Sequence, residues 1–278
     1  MDAYLNGQYL PIEECKVSVL DRGFVFGDGV YELIPVYAGN AFRLSEHVQR
    51  LLCSLNQIQI DPGKSAEEWA ALVEDIVERS KSKDLAVYIQ VSRGTAPRDH
   101  AYPKAEPTVF AMANPLAPVA KEWLDNGVSV VSVEDIRWDR CDIKVTSLLA
   151  NVMLKQKAIE SGATEALLIR DGIALEGSAS NLFVVDNGTV YTAEKNNLIL
   201  PGITRDFVVE LVHDLDIPMK EAAVSEDVLR QADELWMTSS TKEVVAINQL
   251  DGKPVGDGVP GPIWRKVHAH FQKRKAAA

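Results

Sequence analysis

The segment Asp142-Ile143-Lys144-Val145-Thr146-Ser147, followed about thirty residues later by Leu175-Glu176-Gly177-Ser178-Ala179-Ser180-Asn181, decides how this chain is read. Lys144 stands at the end of a segment that reads as a strand, and Glu176 precedes a Gly/Ser-rich turn. An amine and an acid so placed suit an aldehyde ligand with a ring nitrogen: the amine condenses with the aldehyde and the carboxylate faces the nitrogen. Only a neutral amine forms an imine, so such a site has to be partly dry or carry neighbouring positive charge. Ile143 and Val145 are compatible with a dry setting. Taken alone, each residue has a plainer reading. Most lysines are solvated surface residues, and acids are common in turns.

The bounds agree with a soluble enzyme. At 278 residues the chain is expected to form two domains rather than one core. Apolar residues make up 46% and charged residues 25%, as in ordinary globular proteins. No apolar run reaches membrane-spanning length, and Met1-Asp2-Ala3-Tyr4 lacks a basic segment leading into an apolar one, so a cytoplasmic protein is expected. Cys15, Cys53 and Cys141 are odd in number and widely spaced, which points to reduced thiols. A net charge of -11 disfavours nucleic acid and anionic membranes as partners, but not a small anionic ligand held locally.

Ser45 reads as the N-cap of a helix carrying Val48, Leu51, Leu52, Leu55 and Ile58. Ser65 and Glu68 read as a capping box ahead of Trp69, Leu72, Val73, Ile76 and Val77. Val87–Ser92 and Thr108–Met112 are β-rich. The prolines of Asn114-Pro115-Leu116-Ala117-Pro118 oppose both helix and central strand, so a boundary is expected there: a smaller N-terminal α/β domain over 1–114, a linker over 115–120, and a larger C-terminal domain over 121–278 that holds Lys144. In that second part a helix is expected from about Ser147 to Ser161. Further strands surround the hairpin turns Asp171-Gly172 and Asn187-Gly188, a helix starts near Ile203, and a last helix spans Pro262 to Arg274. Residues 275–278 are expected to be frayed. The fold class is α+β or mixed α/β. No phosphate-loop motif or His-Glu-x-x-His occurs, and His268 and His270 lack a third ligand, so no metal is expected. Asn181 stands where a serine-hydrolase elbow needs glycine.

The run Trp138-Asp139-Arg140-Cys141-Asp142-Ile143-Lys144, the Glu176-Gly177-Ser178-Ala179-Ser180-Asn181 turn and the order of the remaining segments resemble the fold type IV pyridoxal-phosphate aminotransferases, most closely the D-amino acid (D-alanine) aminotransferase family. The resemblance runs from about Tyr4 to about Phe271. It implies that Lys144 is the catalytic lysine, holding pyridoxal 5'-phosphate as an internal aldimine, and that Glu176 faces the ring nitrogen. It implies a phosphate held by Arg50, by the helix start at Ile203 and Thr204, and by Ser240 of the Thr238-Ser239-Ser240-Thr241 cluster. Helix N-termini suit phosphates, although a helix arginine paired with a nearby acid and a hydroxyl cluster in a turn are the commoner situations. Tyr31, Arg98 and His100 are implied as the clamp on the substrate carboxylate. An isolated Arg-x-His would otherwise read as an exposed polar loop.

The implied activity is ping-pong transamination between D-amino acids and 2-oxo acids such as 2-oxoglutarate. A homodimer is implied as well, the loop after Val87–Val91 completing the partner's pocket. A branched-chain L-amino acid aminotransferase, an aminodeoxychorismate lyase and a non-catalytic pyridoxal-phosphate-binding protein are the alternatives. Ala179 and Pro35 depart from the pattern of some relatives and leave substrate breadth open.

Overall fold

Apolar residues recur at every second position in Val30, Ile34 and Val36 and again in Val87, Ile89 and Val91, which gives two strands a common inward face. In this computed structural model, which describes residues 2–276, these strands are the middle of the first of two compact units, residues 2–117 with 143–148. Its strands are β1 (Asp2–Leu5), β2 (Gln8–Pro11), β3 (Gly29–Tyr37), β4 (Asn40–Ala41), β5 (Leu85–Ser92) and β6 (Thr108–Pro115), in the order β2-β1-β6-β5-β3-β4. Helix α1 (Arg22–Phe26) is one short turn ahead of β3. Helices α2 (Leu44–Gln57) and α3 (Ala66–Arg79) lay Val48, Leu51, Leu55, Trp69, Val73 and Ile76 on the inward face of the sheet.

The capping box at Ser65 and Glu68 forms as expected. Ser45 does not cap α2. The helix starts at Leu44, and its N-cap is Arg43 in the left-handed region, φ 53°, whose guanidinium reaches Glu46.

Two expectations about Lys144 are corrected here. Residues 143–148 cluster with the first unit, not with the C-terminal one. The reason is backbone pairing: Tyr31 N–H donates to Lys144 O, and Thr146 N–H donates to Gly29 O. Nor does Lys144 end a regular strand. It sits in an extended segment that touches β3 through one bridge, Val30 to Val145. Ile143 and Val145 join the core of the unit, and the alternation turns Lys144 the other way.

The second unit, residues 118–142 with 149–276, contains α4 (Lys121–Asn126), β7 (Val128–Glu134), α5 (Leu149–Glu160), β8 (Glu165–Arg170), β9 (Ile173–Gly177), β10 (Asn181–Asp186), β11 (Thr189–Thr192) and α6 (Ile203–Asp214). It continues through β12 (Met219–Glu221), β13 (Val224–Ser225), α7 (Glu226–Gln231), β14 (Glu234–Ser239), β15 (Glu243–Leu250), β16 (Lys253–Pro254) and α8 (Pro262–Lys275). The strand order is β12-β11-β10-β14-β15-β7-β8-β9-β13. Strands β9 and β10 also pair, at Glu176 and Asn181, so the strands from β10 round to β9 close into a ring. Strands β7 and β8 are parallel, which requires a crossover, and α5 supplies it. Leu154 and Ala158 of α5 pack with Ala163, Ala166 and Leu168. The turns at Asp171-Gly172 and Asn187-Gly188 both have positive φ at both residues, the condition for a tight hairpin.

Helix α8 runs to Lys275, whose ammonium lies 2.7 Å from Glu243, so residue 275 is tied down rather than frayed. Ala277 and Ala278 lie outside the described residues. His268 is half-buried and stacked on Trp264.

Truncation of Leu154, fully buried under α5, is expected to cost about 2–5 kcal/mol. Lys157→Ala, on the exposed side of the same helix, is expected to change stability by less than about 0.5 kcal/mol. Urea midpoints followed by circular dichroism compare the two; equal effects would contradict this packing.

Candidate active site

In the first unit the inward face of β3 carries one residue that breaks its apolar pattern. Glu32 lies between Val30 and Ile34 and is 0% exposed. A buried carboxylate costs several kcal/mol unless it is paired and hydrogen-bonded, and α2 provides the partners. Arg50 Nε donates to Glu32 Oε2 at 2.9 Å and Arg50 Nη2 to Oε1 at 2.6 Å. His47 Nδ1 lies 3.0 Å from Oε1, and Leu33 N–H donates to the same oxygen at 2.9 Å. Burial alone would raise the Glu32 carboxyl, but Arg50 and His47 hold it well below the usual carboxylate range. Burial pushes His47 down, with Glu32 opposing and the positive charges of Arg50 and Lys144 adding to the fall. Facing a carboxylate that only accepts, the neutral imidazole carries its proton on Nδ1.

Lys144 belongs to the same group. Its Nζ stands 4.1 Å from the centre of the Tyr31 ring, and its N–H reaches the buried Ser54 Oγ at 3.3 Å. Lys144 and Tyr31 are thus brought together, as are Arg50, Glu32 and His47, with the charge of Lys144 felt at His47. Arg50 makes a two-pronged pair with Glu32, the commoner situation for a helix arginine.

Arg98 and His100 sit in an exposed loop and gather elsewhere, on Phe26: the Arg98 guanidinium is 5.1 Å and the His100 ring 5.4 Å from its ring centre. Tyr31 lies instead against Tyr88, with ring centres 5.7 Å apart. The loop is anchored at both ends. Arg22 donates to the Asp99 carbonyl, and Arg93 stacks on Tyr102 at 3.7 Å. Both arginines meet on Asp28, at 2.7 Å and 2.8 Å. Burial opposes ionisation of Asp28, but the two guanidiniums hold its carboxyl below the usual range.

In the second unit Glu176 is 3% exposed at the end of β9. Arg137 Nη1 donates to its Oε1 at 2.5 Å, Asn181 Nδ2 to its Oε2 at 2.9 Å, and Leu200 N–H to both oxygens at 3.1 Å and 3.2 Å. Arg137 is itself gripped from the other side by Asp135, at 2.9 Å and 3.1 Å. Burial pushes the Glu176 carboxyl up to about 7, with Arg137 opposing. Asn181 also donates to the Leu200 carbonyl and so fixes the approach to α6. No side chain caps α6, whose N-cap is Gly202, and Ile203 and Thr204 are buried in its first turn. A Cβ on Gly202 would strike Asn181 Oδ1. Thr238, the register partner of Asn181, has a buried hydroxyl without a partner, and Ser240 lies in the turn after β14.

In kind, each unit offers groups that pyridoxal phosphate requires: the first an amine over an aromatic ring, the second a buried carboxylate and an uncapped helix start with hydroxyls. Sequence reasoning missed Glu32, His47, Arg137 and the Leu200 amide. Glu32 carried a signal, since it occupies an inward position of an alternating strand. Arg137 and Leu200 carried none, because they come to Glu176 from loops distant in the chain.

The amino-transferase class IV family model matches residues 29–250. The chain is 43% identical to the D-alanine aminotransferase of Bacillus licheniformis over 98% of its own length and 96% of that protein. Its identity to the D-alanine aminotransferase of Staphylococcus aureus (strain MW2) is also 43%, over 97% of this chain and 96% of that protein. Among solved structures, the branched-chain aminotransferase of the thermophilic archaeon Thermoproteus uzoniensis with norvaline superposes with a TM-score of 0.90 at 29% identity, covering 98% of this chain and 94% of that one.

Because the Glu32 carboxyl titrates below its unfolded value, its stabilisation is full above the ordinary carboxyl range, near pH 4.3, and is lost as pH falls through that range toward the folded value. Glu32→Gln strands Arg50 and is expected to cost about 3–5 kcal/mol at pH 7. The gap to the unmodified chain is expected to narrow below roughly pH 4. Urea unfolding at pH 7 and at lower pH reads both values, and a gap that stayed constant would refute the assignment.

Proposed function

Since the chain belongs to the class IV aminotransferases, we propose that it is a pyridoxal-phosphate-dependent D-amino acid aminotransferase that moves the amino group of D-alanine or a similar donor to a 2-oxo acid such as 2-oxoglutarate. One observation carries the choice of substrate: identity to named D-alanine aminotransferases reaches 43% over almost the whole chain, against 29% to the branched-chain enzyme whose fold it shares. The branched-chain reading rests on that shared fold, and a fold alone does not select a substrate.

When bound, pyridoxal phosphate supplies an aldehyde that exchanges amines and a ring that draws electrons from the substrate Cα. Lys144 Nζ is the group that takes the Cα proton and returns it, a task suited to an amine held over Tyr31. Glu176 holds a proton at the ring nitrogen: burial pushes its carboxyl up, Arg137 opposes that rise, and a pyridinium beside it would favour the carboxylate further. Gly202, Ile203, Thr204 and Ser240 would hold the phosphate, with Arg50 lending charge. The anchored loop of Arg98 and His100 supports a carboxylate clamp, because Arg22 holds the Asp99 carbonyl and Arg93 the Tyr102 ring while Arg98 and His100 stay exposed.

A homodimer is supported by α5. Besides its buried side, the helix leaves Leu149, Val152, Met153 and Ile159 largely exposed, more apolar surface than a lone helix face usually shows to water. The clamp then acts in the partner's site. A cytoplasmic location fits three unpaired cysteines and, among the described residues, the lack of any helix long and apolar enough to cross a membrane.

Incubation with D-alanine and 2-oxoglutarate is expected to release pyruvate. Lys144→Ala should abolish turnover and the visible absorbance of the bound cofactor. Arg98→Ala should leave that absorbance intact and lower kcat/KM for D-alanine by roughly ten- to a hundredfold, the value of one charge-assisted contact. Turnover of L-leucine with none of D-alanine would establish the branched-chain reading instead.

A further inference from the structure

Glu165 is a buried charge that none of these roles uses. It opens β8 and is 1% exposed. Its Oε1 accepts Ala166 N–H at 2.9 Å and the hydroxyl of Ser178, its Oε2 accepts the hydroxyl of Ser180 at 3.3 Å, and Lys155 Nζ lies 3.7 Å from Oε1. Lys155 also donates to the Thr164 carbonyl and is half-buried beside Glu165.

The two serines are the first and last residues of the loop joining β9 to β10. The strand ends that this loop connects are Glu176-Gly177 and Asn181, the carboxylate and the amide described above. Strands β9 and β10 meet at that single pair, Glu176 opposite Asn181. One pair is a weak hold on the register. The loop is tightened by Gly177 N–H donating to Ser180 O at 2.6 Å and by Asn151 Nδ2 donating to Ser178 O at 2.8 Å. Gly177 has to be a glycine here, because a Cβ would strike Ser180 Oγ and come within 3.1 Å of Glu165 Cγ. Ala179 points outward at the tip and is exposed. Serine hydroxyls can be satisfied by water, and a buried ion pair is no more stabilising than a well-packed apolar group of the same volume. A buried carboxylate bound to both ends of one loop therefore has a geometrical task.

We propose that Glu165 is a positioning residue for Glu176: by holding Ser178 and Ser180 it fixes the one-pair junction of β9 and β10 and so aims the Glu176 carboxylate. The catalytic meaning of this step rests on the function proposed above, but its geometry does not.

The test has two arms. In the full-length chain without added cofactor, the Leu200 amide reports on Glu176 because it donates to both carboxylate oxygens. Glu165→Ala is expected to speed its hydrogen exchange roughly tenfold while amides in β7 and β14 keep their rates. Glu165→Gln, which keeps the volume and one acceptor, is expected to recover part of the protection. Unchanged exchange at Leu200, or faster exchange throughout the core, would overturn the proposal. In the chain loaded with pyridoxal phosphate, Glu165→Ala is expected to lower kcat with little change in KM. Added to Glu176→Ala, it should cause no further loss, since it acts through that residue. Multiplying losses would overturn the proposal. Should the alanine variant not fold, Glu165→Gln carries both readouts. A wild-type chain without turnover would refute the functional reading and leave exchange at Leu200 to decide the positioning.

Discussion

The contact between Arg137 and Glu176 is the constraint on which the second unit depends. A carboxylate at 3% exposure is tolerated only with partners, and three groups from separate stretches of chain supply them: a guanidinium, a side-chain amide and a backbone N–H. Each partner fixes something else in turn. Asp135 and the Leu198 carbonyl orient Arg137, Asn181 closes the strand ring at β10, and Leu200 sets the entry to α6. The glycine at 202 follows, because Asn181 occupies the space a side chain would need. The uncapped start of α6 and the carboxylate are thus parts of one network.

The first unit solves a similar problem with other residues. Glu32 occupies a core position of β3 and is answered by two residues one helical turn apart on α2, His47 and Arg50. The arrangement fixes a positive guanidinium and a neutral imidazole on the inward side of the segment that carries Lys144. Ile143 and Val145 fasten that segment into the core, so the amine projects from a rigid backbone, over Tyr31. Rigid support of this kind suits the proton transfer proposed for Lys144.

Much of the architecture was legible in the sequence because it is local. The capping box at Ser65, the hairpin turns at 171–172 and 187–188, and the apolar stripes of α2 and α3 follow from spacing alone. Lys144 was legible as a residue but not as a structure. Its neighbours read as a strand, yet they pair with β3 at one bridge only, and the pairing partner lies more than a hundred residues earlier in the chain. Ser45 failed as a cap because a left-handed Arg43 starts the helix two residues sooner, and no local signal announces that conformation. Arg50 was read from the resemblance, whereas its carboxylate partner belongs to another element. Long-range ion pairs such as Glu32 with Arg50 and Glu176 with Arg137 are set by tertiary contact, which spacing does not encode.

The central claim is that Glu176 is buried and held so as to keep a proton on the cofactor's ring nitrogen. Loading the chain with pyridoxal phosphate labelled with ¹⁵N at that position and recording its chemical shift at neutral pH tests this most directly. The account predicts a shift in the pyridinium range for the unmodified chain and one in the free-pyridine range for Glu176→Gln. A pyridine-like shift in the unmodified chain, or a pyridinium shift that survives the substitution, would contradict it.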